Sequence, residues 1–401
     1  MNYGEGAQLS EHMSRMGHEE VSSAKDADIV ILNTCTVVDT TEKKMIKRMS
    51  ELRKSGKEVV VTGCMAKVQA NRVSIRLPGS LIIPPEDYSD FTTLISQRYD
   101  MGCSSYAPIG NGSNIIPISQ GCLGNCYYCI TKFARGSLLS YEQEDLVERF
   151  NKALDHGHKE ILITAQDTGC YGIDIDTDLP SLLSRMLERD GEYRIRIGMM
   201  NPNSLEPILD RLMDVMMDER IYRFLHIPVQ SGSDAVLKAM NRQYTKNEFM
   251  DLARRMRSRY PDISISTDMI SGFPGETDDD HGMSVRLIEE LRGDTVNITR
   301  FSSRPGTEAA SMDPVHGRIS KDRSAELTEV KNRVEYDNNK ELIGKRYKAI
   351  VTENGKNGTV ILRNNNYRPI AIDSSADIGE FVDVEVTGCE STYLIGRMLN
   401  N

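Results

Sequence analysis

Gln120-Gly-Cys-Leu-Gly-Asn-Cys-Tyr-Tyr-Cys129 sets three cysteines at the spacing C-x3-C-x2-C. The stretch follows an apolar run at 114–118 that reads as a strand, so the cysteines fall on a tight loop at a strand's carboxyl end. Thiolates spaced this way on one loop can meet three corners of a 4Fe–4S cube. The fourth iron then stays open to an exchangeable ligand, as an open zinc position does. Gly121 and Gly124 suit a backbone bent around so bulky a group. A structural zinc site is the alternative, but it would call for a fourth ligand at a second knuckle, and none is close in sequence.

From 114 to about 305 the chain alternates strand-like and helix-like segments. Strands are expected at 114–118, 160–164, 194–198, 222–227, 264–270 and 295–300, with helices at 142–156, 182–188 and 246–258 among those between them. Six such units predict a partial or full parallel barrel, with chemistry on the loops at the strands' carboxyl ends. A polar helix is expected at 319–342. Beyond it the runs 347–351, 358–362, 367–372 and 380–386 alternate and are split by turns such as Glu353-Asn-Gly-Lys356, which predicts a small all-β barrel.

Toward the amino terminus, Leu9, Met13 and Met16 have helical spacing. Asp28-Ile-Val-Ile-Leu-Asn33 and Glu58-Val-Val-Val-Thr-Gly63 read as buried parallel strands, with a helix capped at Thr40 or Thr41 between them. Cys35 and Cys64 follow the two strands closely, on the edge of a parallel sheet where sites form. A doubly wound domain usually begins with a strand, and here the first strand is missing. Residues 102–113 read as a linker.

The chain has 401 residues, enough for two or three domains. No apolar run reaches the roughly 18 residues of a membrane span, and no secretory pattern opens the sequence. A cytoplasmic protein without a membrane partner is expected. Eight cysteines in such a chain point to metal or redox chemistry rather than a disulfide framework. The net charge of −10 argues against generic polyanion binding but leaves local basic patches open.

The triad resembles the signature of the radical S-adenosylmethionine (SAM) superfamily. The whole chain resembles the methylthiotransferases of that superfamily in the stretches Asn33-Thr-Cys-Thr-Val37, Thr62-Gly-Cys-Met-Ala66, His226-Ile-Pro-Val-Gln-Ser-Gly-Ser233, Ser266-Thr-Asp-Met-Ile-Ser-Gly-Phe-Pro-Gly-Glu276 and Arg300-Phe-Ser-Ser-Arg-Pro-Gly-Thr307. The segment Ala165-Gln-Asp-Thr-Gly-Cys-Tyr-Gly172 is most similar to the archaeal and eukaryotic branch. The resemblance implies an α/β chain in three parts: an N-terminal methylthiotransferase domain at 1–104, a radical SAM partial (βα)6 barrel at 112–335 and a TRAM β-barrel at 340–401. It implies a tRNA methylthiotransferase that acts on C2 of N6-threonylcarbamoyladenosine, 3′ of the anticodon.

Two 4Fe–4S clusters and S-adenosylmethionine are implied as cofactors. One S-adenosylmethionine would methylate the sulfur, and a second, cleaved by one electron at the triad's cluster, would give the radical that removes hydrogen from C2. The implied partners are the tRNA anticodon loop and an electron donor such as ferredoxin or flavodoxin, acting on a monomer. Cys35 and Cys64 match two ligands of the auxiliary cluster, and the chain is expected to start just past the third. Cys103 is a conceivable substitute. The rival readings are methylthiolation of isopentenyladenosine or of a ribosomal protein, and a non-catalytic Fe–S RNA-binding protein lacking one auxiliary ligand.

Other candidates follow from position on the barrel. Gln166 and Asp167, after the second strand, could hold the amine and carboxylate of S-adenosylmethionine. Arg196 projects from a strand and needs a counter-charge if it faces inward, which the cofactor's carboxylate or an internal Asp or Glu could supply. Gln230 and Ser231 could contact ribose. Arg300 and Arg304 could meet tRNA phosphate or the threonyl carboxylate, or form surface ion pairs. In the last domain Lys345, Arg346, Lys348, Lys356, Arg363 and Arg368, interleaved with Tyr347 and Tyr367, could form an RNA-tracking surface. Cys170 and Cys389 are expected to pack or sit free.

Overall fold

In the computed structural model, which describes residues 2–37, 39–99, 114–356 and 358–399, the run Val59-Val-Val61 sits in the middle strand of a parallel sheet. The order is β1 (Ile29–Thr34), β2 (Glu58–Gly63), β3 (Leu81–Ile82). Alternate side chains feed two separate cores. Val60 packs with Leu9, Met13, Ile83, Phe91 and Ile95 on one face. Val59 and Val61 pack with Met49, Leu52, Met65 and Val73 on the other. Both faces are thus covered, as a parallel sheet requires. The described chain enters through the helix Asn2–Arg15, and the expected linker, with Cys103, lies outside the described residues.

The middle region forms the expected open barrel. β4 (Ile115–Pro117) is followed by β5 (Ser119–Gln120) and β6 (Leu139–Ser140), which pair antiparallel around the cysteine loop. Then come β7 (Glu160–Thr164), β8 (Arg194–Ile197), β9 (Phe224–His226), β10 (Ser264–Ser271) and β11 (Thr295–Arg300). The sheets β4-β7-β8 and β9-β10-β11 are each parallel and are joined by a parallel bridge between Ile195 and Ile221. Ile161, Ile163, Ile195, Ile197, Leu225 and Ile265 are fully buried. The outer helices start on local signals, such as the capping boxes Thr245–Glu248 and Thr277–Asp280. The helix Gly317–Lys340 buries Leu327, Val330 and Val334, and its Glu335 accepts the β11 amide of Val296 at 2.7 Å.

The last region is a closed five-stranded barrel. It is built from β12 (Arg346–Asn354), β13 (Thr359–Arg363), β14 (Pro369–Asp373), β15 (Phe381–Cys389) and β16 (Leu394–Met398), in the order β12-β13-β14-β16-β15. Strand β16, absent from the expected runs, closes the barrel by pairing parallel to β14. Closure removes the sheet edges that a four-run sheet would expose. Among the described residues no helix is long and apolar enough to cross a membrane.

Candidate active site

The cysteine loop leaves β5 and returns through the helix Thr131–Arg135 to β6. Gly121 makes the turn possible: its φ is +79°, and a Cβ there would lie 1.8 Å from the carbonyl oxygen of Ser137. Cys122, Cys126 and Cys129 line a cavity of about 110 Å³, with Asn125, Thr131 and Thr307 on its rim. The amide of Gly124 donates to Cys122 Sγ at 3.2 Å and that of Thr131 to Cys129 Sγ at 3.4 Å. Arg242 Nη1 donates to Cys126 Sγ at 3.1 Å. Each sulfur therefore already has the donor that a metal-bound thiolate wants.

Burial pushes the Cys122 thiol up to about 11 and raises that of Cys129, so these groups hold their protons until a metal displaces them. Among the described residues no three His, Cys, Asp or Glu side chains converge closely enough for one metal ion. Thiols set apart around a cavity fit a multi-iron cube better than a single zinc, whose Zn–S bonds are about 2.3 Å.

Cys35 and Cys64 lie past the carboxyl ends of β1 and β2, as expected. Gly63, with φ +80°, lets the two turns touch, since a Cβ there would lie 2.3 Å from the carbonyl oxygen of Thr34. The amide of Met65 donates to Thr34 Oγ1 at 3.1 Å and fastens the second turn to the first. Burial raises the Cys64 thiol, and the guanidinium of Arg135 pulls it back. Arg135 ends the helix that leaves the triad loop, and its Nη2 donates to Glu5 Oε2 at 2.9 Å in a buried ion pair. One short helix thus links the two cysteine sites.

The other expected site residues are placed as follows. Gln166 and Asp167 sit on the turn after β7, at the barrel's carboxyl edge. Asp167 is buried, and its oxygens accept from Asn201 Nδ2 at 2.6 Å, Ser204 Oγ at 2.8 Å and the amides of Gly169 and Asn201 at 3.1 Å. It braces the site from behind and has little capacity left for a cofactor. Gln230 is buried in a left-handed conformation, φ +72°, on the segment beyond β9, where its backbone pairs with β10. Ser231 is buried, and its hydroxyl lies 3.4 Å from that of Ser284 and accepts the amide of Ser233 at 3.2 Å, so it is engaged inside the protein.

Arg196 is not brought to the cysteine loop. Its guanidinium lies over the rings of Phe224 and Tyr367, at 5.4 and 5.5 Å, in a cavity shared with the C-terminal barrel. Two aromatic faces take the place of the expected carboxylate.

Arg300 is exposed and lines a groove of about 530 Å³ between the barrel's last strand and the N-terminal region, together with Tyr128, Phe301 and Thr40. Arg304 lines the same groove but is buried. Its Nη1 donates to Glu42 Oε2 at 2.9 Å, while Nη2 has no partner among the described residues.

The RNA-tracking surface expected of the last domain is divided: Tyr367 and Arg368 are turned toward the barrel, and most of the basic residues are exposed. Tyr367 packs on Tyr222 and Phe224 at 4.9 Å, Arg368 pairs with Asp294, and Lys348 pairs with Glu192. Lys345, Arg346, Lys348 and Lys356 are exposed. The sequence pattern showed basic and aromatic alternation but not which neighbour it faced. Cys170 packs as expected, donating to Asp167 at 3.3 Å.

Sequence reasoning missed Arg242, Asn201 and Ser204. Arg242 follows the helix Asp234–Ala239, where a basic residue reads as a solvated helix end. Only the left-handed turn at Asn241, φ +56°, whose Nδ2 donates to the Asn125 carbonyl at 2.7 Å, swings this segment against the cysteine loop.

Comparison with known proteins agrees with this geometry. The description "Radical SAM superfamily" matches residues 116–288, "Uncharacterized protein family UPF0004" matches 1–83, and "TRAM domain" matches 340–399. A protein of Archaeoglobus fulgidus named "Probable threonylcarbamoyladenosine tRNA methylthiotransferase" is 40% identical over 395 residues, 95% of this chain and 93% of its own. The human "Threonylcarbamoyladenosine tRNA methylthiotransferase" is 31% identical over 427 residues, 100% of this chain and 72% of its own. Among solved structures, the radical SAM methyltransferase TsrM of Kitasatospora setae superposes with a TM-score of 0.55 at 14% identity, covering 75% of this chain and 66% of that one, which supports the fold. The chain belongs to the threonylcarbamoyladenosine tRNA methylthiotransferase family of radical SAM enzymes.

Proposed function

We propose that this chain methylthiolates C2 of N6-threonylcarbamoyladenosine at position 37 of tRNA. The observation that carries the proposal is the cysteine triad at the barrel's carboxyl edge, one short helix away from Cys35 and Cys64, in a chain of this family. Cys122, Cys126 and Cys129 would hold a 4Fe–4S cluster, and the chemistry it would supply when bound is one-electron reductive cleavage of S-adenosylmethionine. The protein's own residues position and shield that chemistry. The amides of Gly124 and Thr131 and the Arg242 guanidinium fix the three sulfurs. Gln166 and the backbone at Gln230 stand at the same edge, where the cofactor's polar groups are held.

Arg300 lines the groove that takes the substrate and there meets phosphate or the threonyl carboxylate, while Arg304 is held in the groove wall by Glu42. Cys35 and Cys64 would hold two corners of an auxiliary cluster, which would carry the sulfur to be transferred. A low-potential protein such as ferredoxin or flavodoxin delivers the electrons. The test is nucleoside mass spectrometry of tRNA from cells with and without the gene. Loss of the methylthio mark from threonylcarbamoyladenosine alone is expected. Loss from isopentenyladenosine instead, or no change in any nucleoside, overturns the proposal.

A further inference from the structure

Arg242 is a buried cation with no carboxylate among its described partners. Its Nε donates to the Tyr244 hydroxyl at 2.7 Å, Nη1 to Cys126 Sγ at 3.1 Å, and Nη2 to Asn201 Oδ1 at 2.6 Å and to the Pro228 carbonyl at 3.3 Å. The face of the guanidinium lies 4.8 Å from the ring of Tyr244. Every acceptor but the sulfur is neutral. The nearest link to a carboxylate is indirect: Asn201 Nδ2 donates to Asp167, which Ser204 and Gly169 hold in turn. A buried full charge is costly unless an opposite charge compensates it. The anion placed to do so is the thiolate of Cys126, together with whatever cluster that thiolate binds.

We infer that Arg242 sets the reduction potential of the cluster held by Cys122, Cys126 and Cys129, and that Asn201 and Asp167 position it for that task. The inference rests on the reading that this triad holds a 4Fe–4S cluster. Cluster potentials respond to net charge, to hydrogen bonds on the sulfurs and to solvent exposure, and Arg242 acts on the first two at once. The reduced cluster carries one more electron, taken from an external one-electron reductant, than the oxidised one. A fixed cation beside a ligand sulfur therefore stabilises the reduced form more. Arg242 is thus a positioning and tuning residue, not one that touches the reacting atoms.

The test is an anaerobic redox titration of the reconstituted 401-residue protein. It is followed by the electron paramagnetic resonance signal that S-adenosylmethionine perturbs, since that signal belongs to the cluster with the open iron. Iron per chain is counted in parallel. Arg242→Gln, at unchanged iron content, is expected to lower the ratio of reduced to oxidised cluster about tenfold at a given potential, a midpoint shift of about 59 mV for one electron. Arg242→Lys keeps the charge but loses the fork, and its midpoint should fall between the two.

An Arg242→Gln midpoint equal to that of the parent, at equal iron, overturns the proposal and leaves the cluster reading intact. If Arg242→Gln takes up no iron, Arg242→Lys decides: a lowered midpoint supports the role and an unchanged one overturns it. If the parent protein shows no signal that S-adenosylmethionine perturbs, the cluster reading itself fails, and this proposal with it.

Discussion

The two cysteine sites of this protein begin alike and are finished differently. Each lies past the carboxyl ends of parallel strands, where the geometry of an α/β sheet opens a crevice. The triad at Cys122, Cys126 and Cys129 is built from one loop, so its thiols are fixed by ten residues of sequence and a few donors around them. The pair at Cys35 and Cys64 is built from two loops, held together by the contact of Gly63 with Thr34 and the hydrogen bond from Met65. A local site survives changes in domain packing. A site assembled from separate turns depends on it, and here that packing runs through Arg135 and Glu42, both buried and both paired across the boundary with the barrel. Cleavage of the cofactor and transfer of sulfur should therefore be separable.

The largest expected effect tests that separation. Replacing Cys35 and Cys64 together with alanine should abolish methylthio transfer while leaving reductive cleavage of S-adenosylmethionine in place. Replacing the three triad cysteines should abolish both. Product nucleoside and 5′-deoxyadenosine are measured in the same anaerobic reaction. If the Cys35/Cys64 variant still thiolates, the second site has been misassigned. If the triad variant still forms 5′-deoxyadenosine, the first has.

How much of this was legible beforehand follows the same division. The triad could be read because its chemistry is contiguous and its strand precedes it. The strands at 160–164 and 295–300 could be read to the residue, since each is a short β-rich run bounded by polar turns. The expected roles of Arg196 and Ser231 did not survive in that form, because position on a strand does not say which layer of the barrel a side chain reaches. Arg196 is met by Tyr367, about 170 residues away, through the docking of the C-terminal barrel. Arg242 was invisible for the same reason, since its partner Cys126 lies 116 residues earlier. Tertiary pairing decides such residues, and no periodicity encodes it.

The next effect is on the packing that the two-loop site depends on. Glu42 accepts from Thr36, Gln69, Arg72 and Arg304, and although burial alone would raise its carboxyl, these bonds hold it below the ordinary range. Glu42→Gln leaves Arg304 buried without its counter-charge and should cost about 3–5 kcal/mol. Glu42→Gln combined with Arg304→Met should recover part of that loss. Urea unfolding followed by circular dichroism measures it, the chain having no tryptophan to report by fluorescence. A loss below about 1 kcal/mol, the range of an exposed pair, would mean that the contact does not hold the regions together.

The smallest effect separates the two sites by pH. His12, on the helix Asn2–Arg15, is buried, and burial, with Arg15 and Arg149 nearby, lowers it to about 4 from the usual 6.5. The folded protein therefore keeps this ring neutral where the unfolded chain would protonate it. Between these values the unfolded state binds more protons, so stability must fall as pH drops from about 6.5 toward 4 and stay level above 7. At about 1.36 kcal/mol for each pH unit between those values, the whole contribution stays below about 3.5 kcal/mol. His12→Phe should flatten that part of the profile in cluster-free protein. The ring lies against Phe91 in the core beneath β2, so amide exchange should show the acid loss in β1 and β2 before β7 and β10. Equal acid loss in both regions would mean that the N-terminal sheet and the barrel open as one unit, and the separation argued from their two kinds of cysteine site would not extend to their stability.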